Sequence, residues 1–167
     1  MSDTQAKSND AVSRDRLYQI DIDEKSIARN NANIEHEREV AIFDLLDGNS
    51  FKVADREDGP YRLRISVVDQ KLQLAIGNAS ENVVVTHFLS LSPFKRIIKD
   101  YFMVCDSYYE AIRTAPPSRI QAIDMGRRGL HDEGSRTLME RLDGKVAVDF
   151  DTARRLFTLI CALHWKG

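Results

Sequence analysis

The chain has 167 residues, of which 43% are hydrophobic and 30% charged, proportions typical of a single soluble globular domain. Its formal net charge at pH 7 is −2 and its pI is about 6.1, which argues against general binding to duplex DNA. No apolar run approaches the ~20 residues of a membrane span and no secretory signal follows Met1, so we expect a cytoplasmic protein without membrane contact.

Charge is distributed unevenly along the chain. Residues 17–92 contain 8 basic and 13 acidic side chains, a net charge of −5. Residues 93–167 contain 13 basic and 10 acidic side chains, a net charge of +3. Such an asymmetry favours a dipolar surface that attracts an oppositely charged partner to one side of the molecule.

The N-terminal third contains a tail, a strand and a helix. Residues 1–16 are polar and predict a disordered tail, followed by one domain over residues 17–167. Apolar and polar residues alternate from Leu17 to Asp23, which predicts a half-buried strand. Asn33 is placed to cap a helix that Gly48 ends.

That first helix has apolar residues on two sides. Its main stripe consists of Ile34, Ala41, Ile42 and Leu45. Val40 and Phe43 point well away from this stripe at 3.6 residues per turn. A second apolar side is usually covered either by the chain's own fold or by a partner. If Val40 and Phe43 are exposed, the simplest cover is a second copy of the chain in a homodimer.

Three strand-like stretches follow, and short connections separate them. They span residues 61–68, 71–76 and 83–91. Strands this close in sequence pair in opposite directions, so the pattern predicts an antiparallel meander.

The next element is a long helix from about Ser92 to the residues before Pro116. Its apolar residues recur every three or four positions and form one stripe about five turns long: Phe94, Ile97, Ile98, Tyr101, Cys105, Tyr108 and Ile112. We expect it to be the central helix of an α+β fold, with the meander and further C-terminal helices packed against it. Asp151 is placed to cap the last of those helices.

Residues 118–142 allow two interpretations. Gly126, Gly129 and Gly134 would cost an uninterrupted helix about 3 kcal/mol in total, at roughly 1 kcal/mol each. The preferred interpretation is therefore a break near Gly126–Gly129, with Asp132 starting a new helix. One continuous helix is the alternative, and it requires another interaction to compensate for the glycines.

The same segment contains the strongest candidate for a binding site. In a turn at Gly126 and Gly129, backbone N–H groups could converge on one anion. Arg127 and Arg128 add permanent charges suited to phosphate or carboxylate, and His131 titrates near neutral pH. The structural alternative is an ordinary turn whose arginines pair with carboxylates. In a continuous helix Arg127 falls on the apolar stripe and needs a carboxylate or a ligand.

Other candidate sites have better structural explanations. Cys105 and Cys161 lie among apolar residues, where thiols are usually inert, and His36 lacks the spacing of a zinc site. Arg154 and Arg155 have the pattern of an ordinary solvated pair. The chain contains no nucleophile elbow, P-loop or dinucleotide-binding glycine motif, so no catalytic residue, metal or cofactor is predicted.

Four strings carry a family resemblance: IEHEREVAIFDLL (34–46), LSPFKRIIKDYF (91–102), IDMGRRGLHDEGS (123–135) and DFDTARRLFTLICALHW (149–165). Over residues 17–167 the chain resembles an uncharacterised protein family of bacteria, mainly alphaproteobacteria. The resemblance implies a bacterial cytoplasmic protein and assigns no activity or site residue.

Two functions fit these observations. The preferred one is a non-enzymatic accessory protein that binds a protein or a structured RNA, because no complete catalytic set is present. The alternative is a small enzyme acting on a phosphorylated or carboxylated metabolite, with Arg127 and Arg128 as anchors and His131 as acid or base. A concave pocket holding these three side chains would favour the enzyme, and a flat or filled surface would favour the accessory protein.

Overall fold

A computed structural model describes residues 14–27 and 32–163. The predicted tail lies outside these ranges up to residue 13. The carbonyls of Asp15 and Arg16 accept hydrogen bonds from the backbone N–H groups of Phe51 and Tyr61, so contacts with the domain extend to Asp15. The main elements are β1 (Leu17–Ile22), α1 (Ala32–Asp47), β2 (Lys52–Val53), β3 (Tyr61–Val68), β4 (Lys71–Asn78), β5 (Val85–Ser90), α2 (Ser92–Thr114), α3 (Pro117–Leu142), β6 (Val146–Ala147) and α4 (Phe150–Leu163).

The fold is α+β, with one four-stranded sheet and four helices among the described residues. The sheet order is β1-β3-β4-β5, and β2 pairs with β6 in a separate two-stranded ladder. Strands β3, β4 and β5 form the predicted antiparallel meander. Strand β1 runs parallel to β3, with Ile20 opposite Leu63. A parallel pair needs a long crossover, which the segment containing α1 supplies.

The core lies between the sheet and the helices, and α4 is buried along most of its length. Phe157 and Leu159 are fully buried on this helix. The stripe of α2 is buried at Phe94 and Ile98, whereas Ile112 near its C-terminal end is 52% exposed. Helix α2 therefore packs on the core through its first half, and its second half borders more open surface.

Helix α3 is continuous over 26 residues, so the predicted break at Gly126–Gly129 and the predicted new helix at Asp132 are wrong. Packing overrides the weak helix propensity of glycine, because α3 lies against both α2 and α4. Gly134 is buried against α4, where a Cβ would come 2.2 Å from a ring carbon of Phe157. A Cβ on Gly126 or Gly129 would meet nothing within 4 Å.

Helix α1 ends immediately before Gly48, as predicted. It begins at Ala32, and the side chain of Asn33 lies outside the described part of the chain. Val40 is 44% exposed and Phe43 is 69% exposed, so the second apolar side of this helix is uncovered in the monomer.

Candidate functional site

A groove of about 450 Å³ lies between α3 and α4, beside α2. It is lined by Tyr101 from α2, by Arg127, Arg128 and His131 from α3, and by Asp151, Arg154, Arg155 and Thr158 from α4. The groove thus brings together all three side chains that the sequence singled out. It also adds a second arginine pair, Arg154 and Arg155, whose sequence pattern is that of an ordinary solvated pair.

The two helices contribute to the groove through matching sequence patterns. The stretch from Asp124 to His131 follows Asp-x-x-Arg-Arg-x-x-His, and the stretch from Asp151 to Thr158 follows Asp-x-x-Arg-Arg-x-x-Thr. Residues at i, i+3, i+4 and i+7 share one face of a helix. The repeated pattern therefore gives each helix a polar face with two arginines, and it is the sequence signal that could have identified Arg154 and Arg155.

One carboxylate serves both arginines on α3. Arg127 donates hydrogen bonds to Asp124 Oδ1, and Arg128 Nε lies 3.1 Å from Asp124 Oδ2. The structural alternative, in which these arginines pair with carboxylates, is therefore correct in part. A single negative charge balances only one of the two guanidinium groups.

The arginines on α4 are paired more loosely. Arg154 Nε lies 3.7 Å from Asp132 Oδ1. Arg155 donates to the backbone carbonyl of Gly48 at the end of α1, and no carboxylate among the described residues lies within 4.0 Å of its guanidinium. Four guanidinium groups in and around the groove thus face three carboxylates, those of Asp124, Asp132 and Asp151. One positive charge is in excess.

Arg127 is more confined than Arg128 and Arg154. Its side chain is 30% exposed, and its guanidinium carbon lies 4.6 Å from the centre of the Tyr108 ring. A cation this close to a ring face is stabilised by the ring quadrupole. Asp124 and Tyr108 together stabilise the charge of Arg127, which a continuous helix places on its apolar stripe.

His131 is held in one orientation by α4. Its Nε2 lies 2.8 Å from Thr158 Oγ1, and that hydroxyl donates its own proton to the carbonyl of Arg154. We infer that Nε2 carries the hydrogen and donates it to Thr158, which leaves Nδ1 as a buried acceptor without a hydrogen-bond partner. Burial, reinforced by the charge of Arg154, lowers the pKa of His131. The imidazole is therefore uncharged at neutral pH.

Gly126 and Gly129 do not line the groove. Their backbone N–H groups belong to the interior of α3, where each donates to a carbonyl one turn earlier. The prediction that these two glycines form an anion-binding turn is therefore wrong. The positive charge of this region comes from the side chains of its arginines.

A second cleft of about 440 Å³ adjoins the groove. It lies between α1, α2 and α4, and it shares Tyr101, Arg127 and Thr158 with the groove. Its apolar lining includes Ile34, Val40, Ala41, Phe102, Tyr109 and Ala162. Three exposed carboxylates, those of Glu37, Asp44 and Asp106, line this cleft and not the groove.

The thiols fit their structural explanation. Cys105 is half-buried in the cleft, and burial raises its pKa. Cys161 is buried in α4, and burial raises its pKa well above the usual range. Both are therefore protonated at neutral pH, which makes them poor nucleophiles.

Within residues 14–27 and 32–163, no three histidine, cysteine or acidic side chains are grouped so that they could hold a metal ion. In the same ranges no helix combines the length and apolar character of a membrane span. His36 is exposed on α1 and lines the cleft.

Comparison with known proteins identifies the family that the sequence resembled. Residues 14–166 match the model of an uncharacterised protein family, UPF0262. The chain is 60% identical to the UPF0262 protein of Agrobacterium fabrum over 91% of this chain and 96% of that protein. It is 59% identical to a UPF0262 protein of Mesorhizobium japonicum, over 92% and 96% of the two chains. No solved structure matches. The chain belongs to UPF0262.

Proposed function

We propose that the protein binds a small phosphorylated or carboxylated molecule in the groove between α3 and α4. The observation that carries this proposal is the meeting of two arginine pairs around one open groove with a positive charge in excess. A concave site at Arg127, Arg128 and His131 favours a small ligand over the flat surface expected for a large partner.

Guanidinium groups are well suited to this role. Each presents a planar fork of N–H donors that matches two oxygens of a phosphate or carboxylate. The side chains of Arg128 and Arg154 are 70% and 45% exposed, so donors not used by Asp124 and Asp132 face solvent. An oxyanion among the arginines would also relieve the repulsion between neighbouring positive charges.

The charge pattern argues against a long polyanion such as structured RNA. Nucleic-acid binding relies on an extended basic patch or stripe that follows the phosphate backbone. Here the basic groove adjoins a cleft lined by Glu37, Asp44 and Asp106. These carboxylates would repel a polyanion that extended beyond the arginines.

The proposal is limited to binding, and it assigns no chemical step. His131 is neutral and its Nε2–H is directed at Thr158, so this nitrogen is already engaged and is not free to serve as an acid or base for a bound ligand. Sensing, carrying or storing an anionic metabolite in the cytoplasm fits this arrangement better than transforming one.

Isothermal titration calorimetry with inorganic pyrophosphate and with citrate tests the proposal. We expect at least one of them to bind the wild-type chain, and R127A/R128A to bind it at least tenfold more weakly. R136A is the matched control, because Arg136 is an exposed arginine on α3 that does not line the groove. Equal affinities for wild type and R127A/R128A, with thermal midpoints within a few degrees, would contradict the proposal.

We further propose that the chain forms a homodimer through the second apolar side of α1. The exposed side chains of Val40 and Phe43 support this proposal. Phe43 is the more useful of the two for testing it, because Val40 also lines the cleft.

A further inference from the structure

We propose that the ligand of the groove is amphipathic, with its anionic head on the arginines and a single apolar chain or ring in the adjoining cleft. This inference rests on the proposed function, and it adds the chemical class of the ligand. The class is a soluble alkyl or aryl phosphate or carboxylate.

The two spaces are placed to receive one molecule. They meet at Tyr101, Arg127 and Thr158, which line both of them. Each has a volume within the range of roughly 300–1,000 Å³ that is typical of small-molecule sites. A ligand held by Arg127 at its head therefore has apolar surface within reach of its body.

Part of the apolar lining of the cleft is exposed. Val40 is 44% exposed and Tyr109 is 60% exposed along its walls. Covering such surface with hydrocarbon is favourable roughly in proportion to the apolar area removed from water. An anion without an apolar part would leave this contribution unused.

Charge fixes the orientation of such a ligand. The arginines lie in the groove, whereas Glu37, Asp44 and Asp106 line the cleft. An anionic head is attracted to the first site and repelled from the second, so the ligand has one favoured direction. The same carboxylates oppose the approach of the cleft to an anionic membrane surface, which favours a soluble molecule over a membrane lipid.

The test compares three probes on the full chain by isothermal titration calorimetry: inorganic phosphate, hexyl phosphate and hexanol. We expect hexyl phosphate to bind at least tenfold more tightly than inorganic phosphate, an effect equal to burying about two methylene groups. Its binding should also show a more negative heat-capacity change, which is the marker of apolar burial.

A variant pair locates the apolar part. V40Q places a polar amide in the cleft without adding charge, and we expect it to weaken hexyl phosphate several-fold while leaving inorganic phosphate unchanged. F43Q is the matched control, because Phe43 is an exposed apolar residue of α1 that does not line the cleft. Equal effects of V40Q and F43Q on hexyl phosphate would contradict the inference.

The outcomes separate this inference from the proposed function. Equal affinity for inorganic phosphate and hexyl phosphate, both lost in R127A/R128A, would overturn the amphipathic ligand and leave the anion site intact. Hexanol binding as tightly as hexyl phosphate, with no effect of R127A/R128A, would overturn both. Failure of every probe to bind at millimolar concentration would also overturn both.

Discussion

Gly134 of α3 lies directly against the ring of Phe157 of α4, and a Cβ at Gly134 would come 2.2 Å from a ring carbon. Real Cβ atoms do not approach other atoms so closely, so only glycine allows this separation of the two helices. Phe157 is fully buried and has little room to move away. The close approach also sets the distance across the groove, since His131 and Thr158 lie within one turn of this contact.

We expect G134A to lower the free energy of unfolding by about 1–3 kcal/mol, the usual range for overpacking a core. Urea denaturation measures the change. G129A is the matched control on the same helix, where a Cβ meets nothing. It should raise the free energy of unfolding by up to about 1 kcal/mol, because alanine is the better helix former. A G134A protein as stable as G129A would show that the helices separate without penalty.

We expect the free energy of unfolding to decrease as the pH drops below about 6.5, which is close to the pKa of an exposed histidine. The group responsible is His131. Burial lowers the folded-state pKa of His131, so the unfolded chain binds a proton more readily than the folded one. The contribution of His131 to the free energy of unfolding is fully present above its unfolded-state pKa, and it is lost as the pH falls through its folded-state pKa.

Urea denaturation of wild type and H131Q at pH 7.5 and pH 5.5 isolates this effect from that of the other histidines. Glutamine retains an N–H donor for Thr158 and does not titrate. We expect the free energy of unfolding to fall more in wild type than in H131Q over this interval. An equal fall in the two proteins would contradict the account of His131 as a buried neutral imidazole.

Asp58 joins the loop before β3 to the sheet. Its carboxylate accepts hydrogen bonds from Arg56, from the hydroxyl of Tyr61 and from the side-chain amide of Asn78. The Arg56 guanidinium holds the pKa of Asp58 below its usual value, and burial, with the nearby Asp58, raises the pKa of Tyr61 to about 12. Removing the carboxylate would leave the hydroxyl of Tyr61 and the side-chain amide of Asn78, both buried, without this acceptor.

D58A should therefore lower the free energy of unfolding by about 1–3 kcal/mol, the penalty for unsatisfied buried donors. E57A changes the exposed neighbouring carboxylate, and it should stay within about 0.5 kcal/mol of wild type. Thermal and urea denaturation would measure both. Similar values for D58A and E57A would mean that the hydrogen bonds of Asp58 contribute nothing specific.

Sedimentation velocity tests the proposed homodimer. Phe43 is 69% exposed, so F43E should fold with an unchanged circular dichroism spectrum. If the face of α1 is a dimer contact, wild type sediments as a dimer at high concentration and F43E as a monomer, because a buried unpaired carboxylate opposes association. A wild-type monomer at high concentration would contradict the proposal.

Local patterns in the sequence predict the meander and the end of α1, because turn residues and alternating apolar residues act over short distances. The parallel pairing of β1 with β3 is not predictable in this way, since Ile20 and Leu63 are brought together by a crossover. The continuity of α3 is also not determined by its local sequence. Its glycines argue for a break, and contacts with α2 and α4 decide otherwise.

The candidate site was predictable in part for a related reason. Arg127, Arg128 and His131 are close in sequence, so their proximity follows from spacing alone. Arg154 and Arg155 join them only because Gly134 and Phe157 bring α3 and α4 together. A comparison of the two Asp-x-x-Arg-Arg patterns would have suggested a relationship, but not that their faces meet.

The most direct test of the anion site is an NMR titration of ¹⁵N-labelled protein with inorganic pyrophosphate, following the Nε–H signals of the arginine side chains. The account predicts that the signals of Arg127, Arg128, Arg154 and Arg155 shift together and saturate, while that of Arg136 stays in place. Shifts of similar size at Arg136 and the groove arginines, or no saturation, would contradict the existence of a specific site.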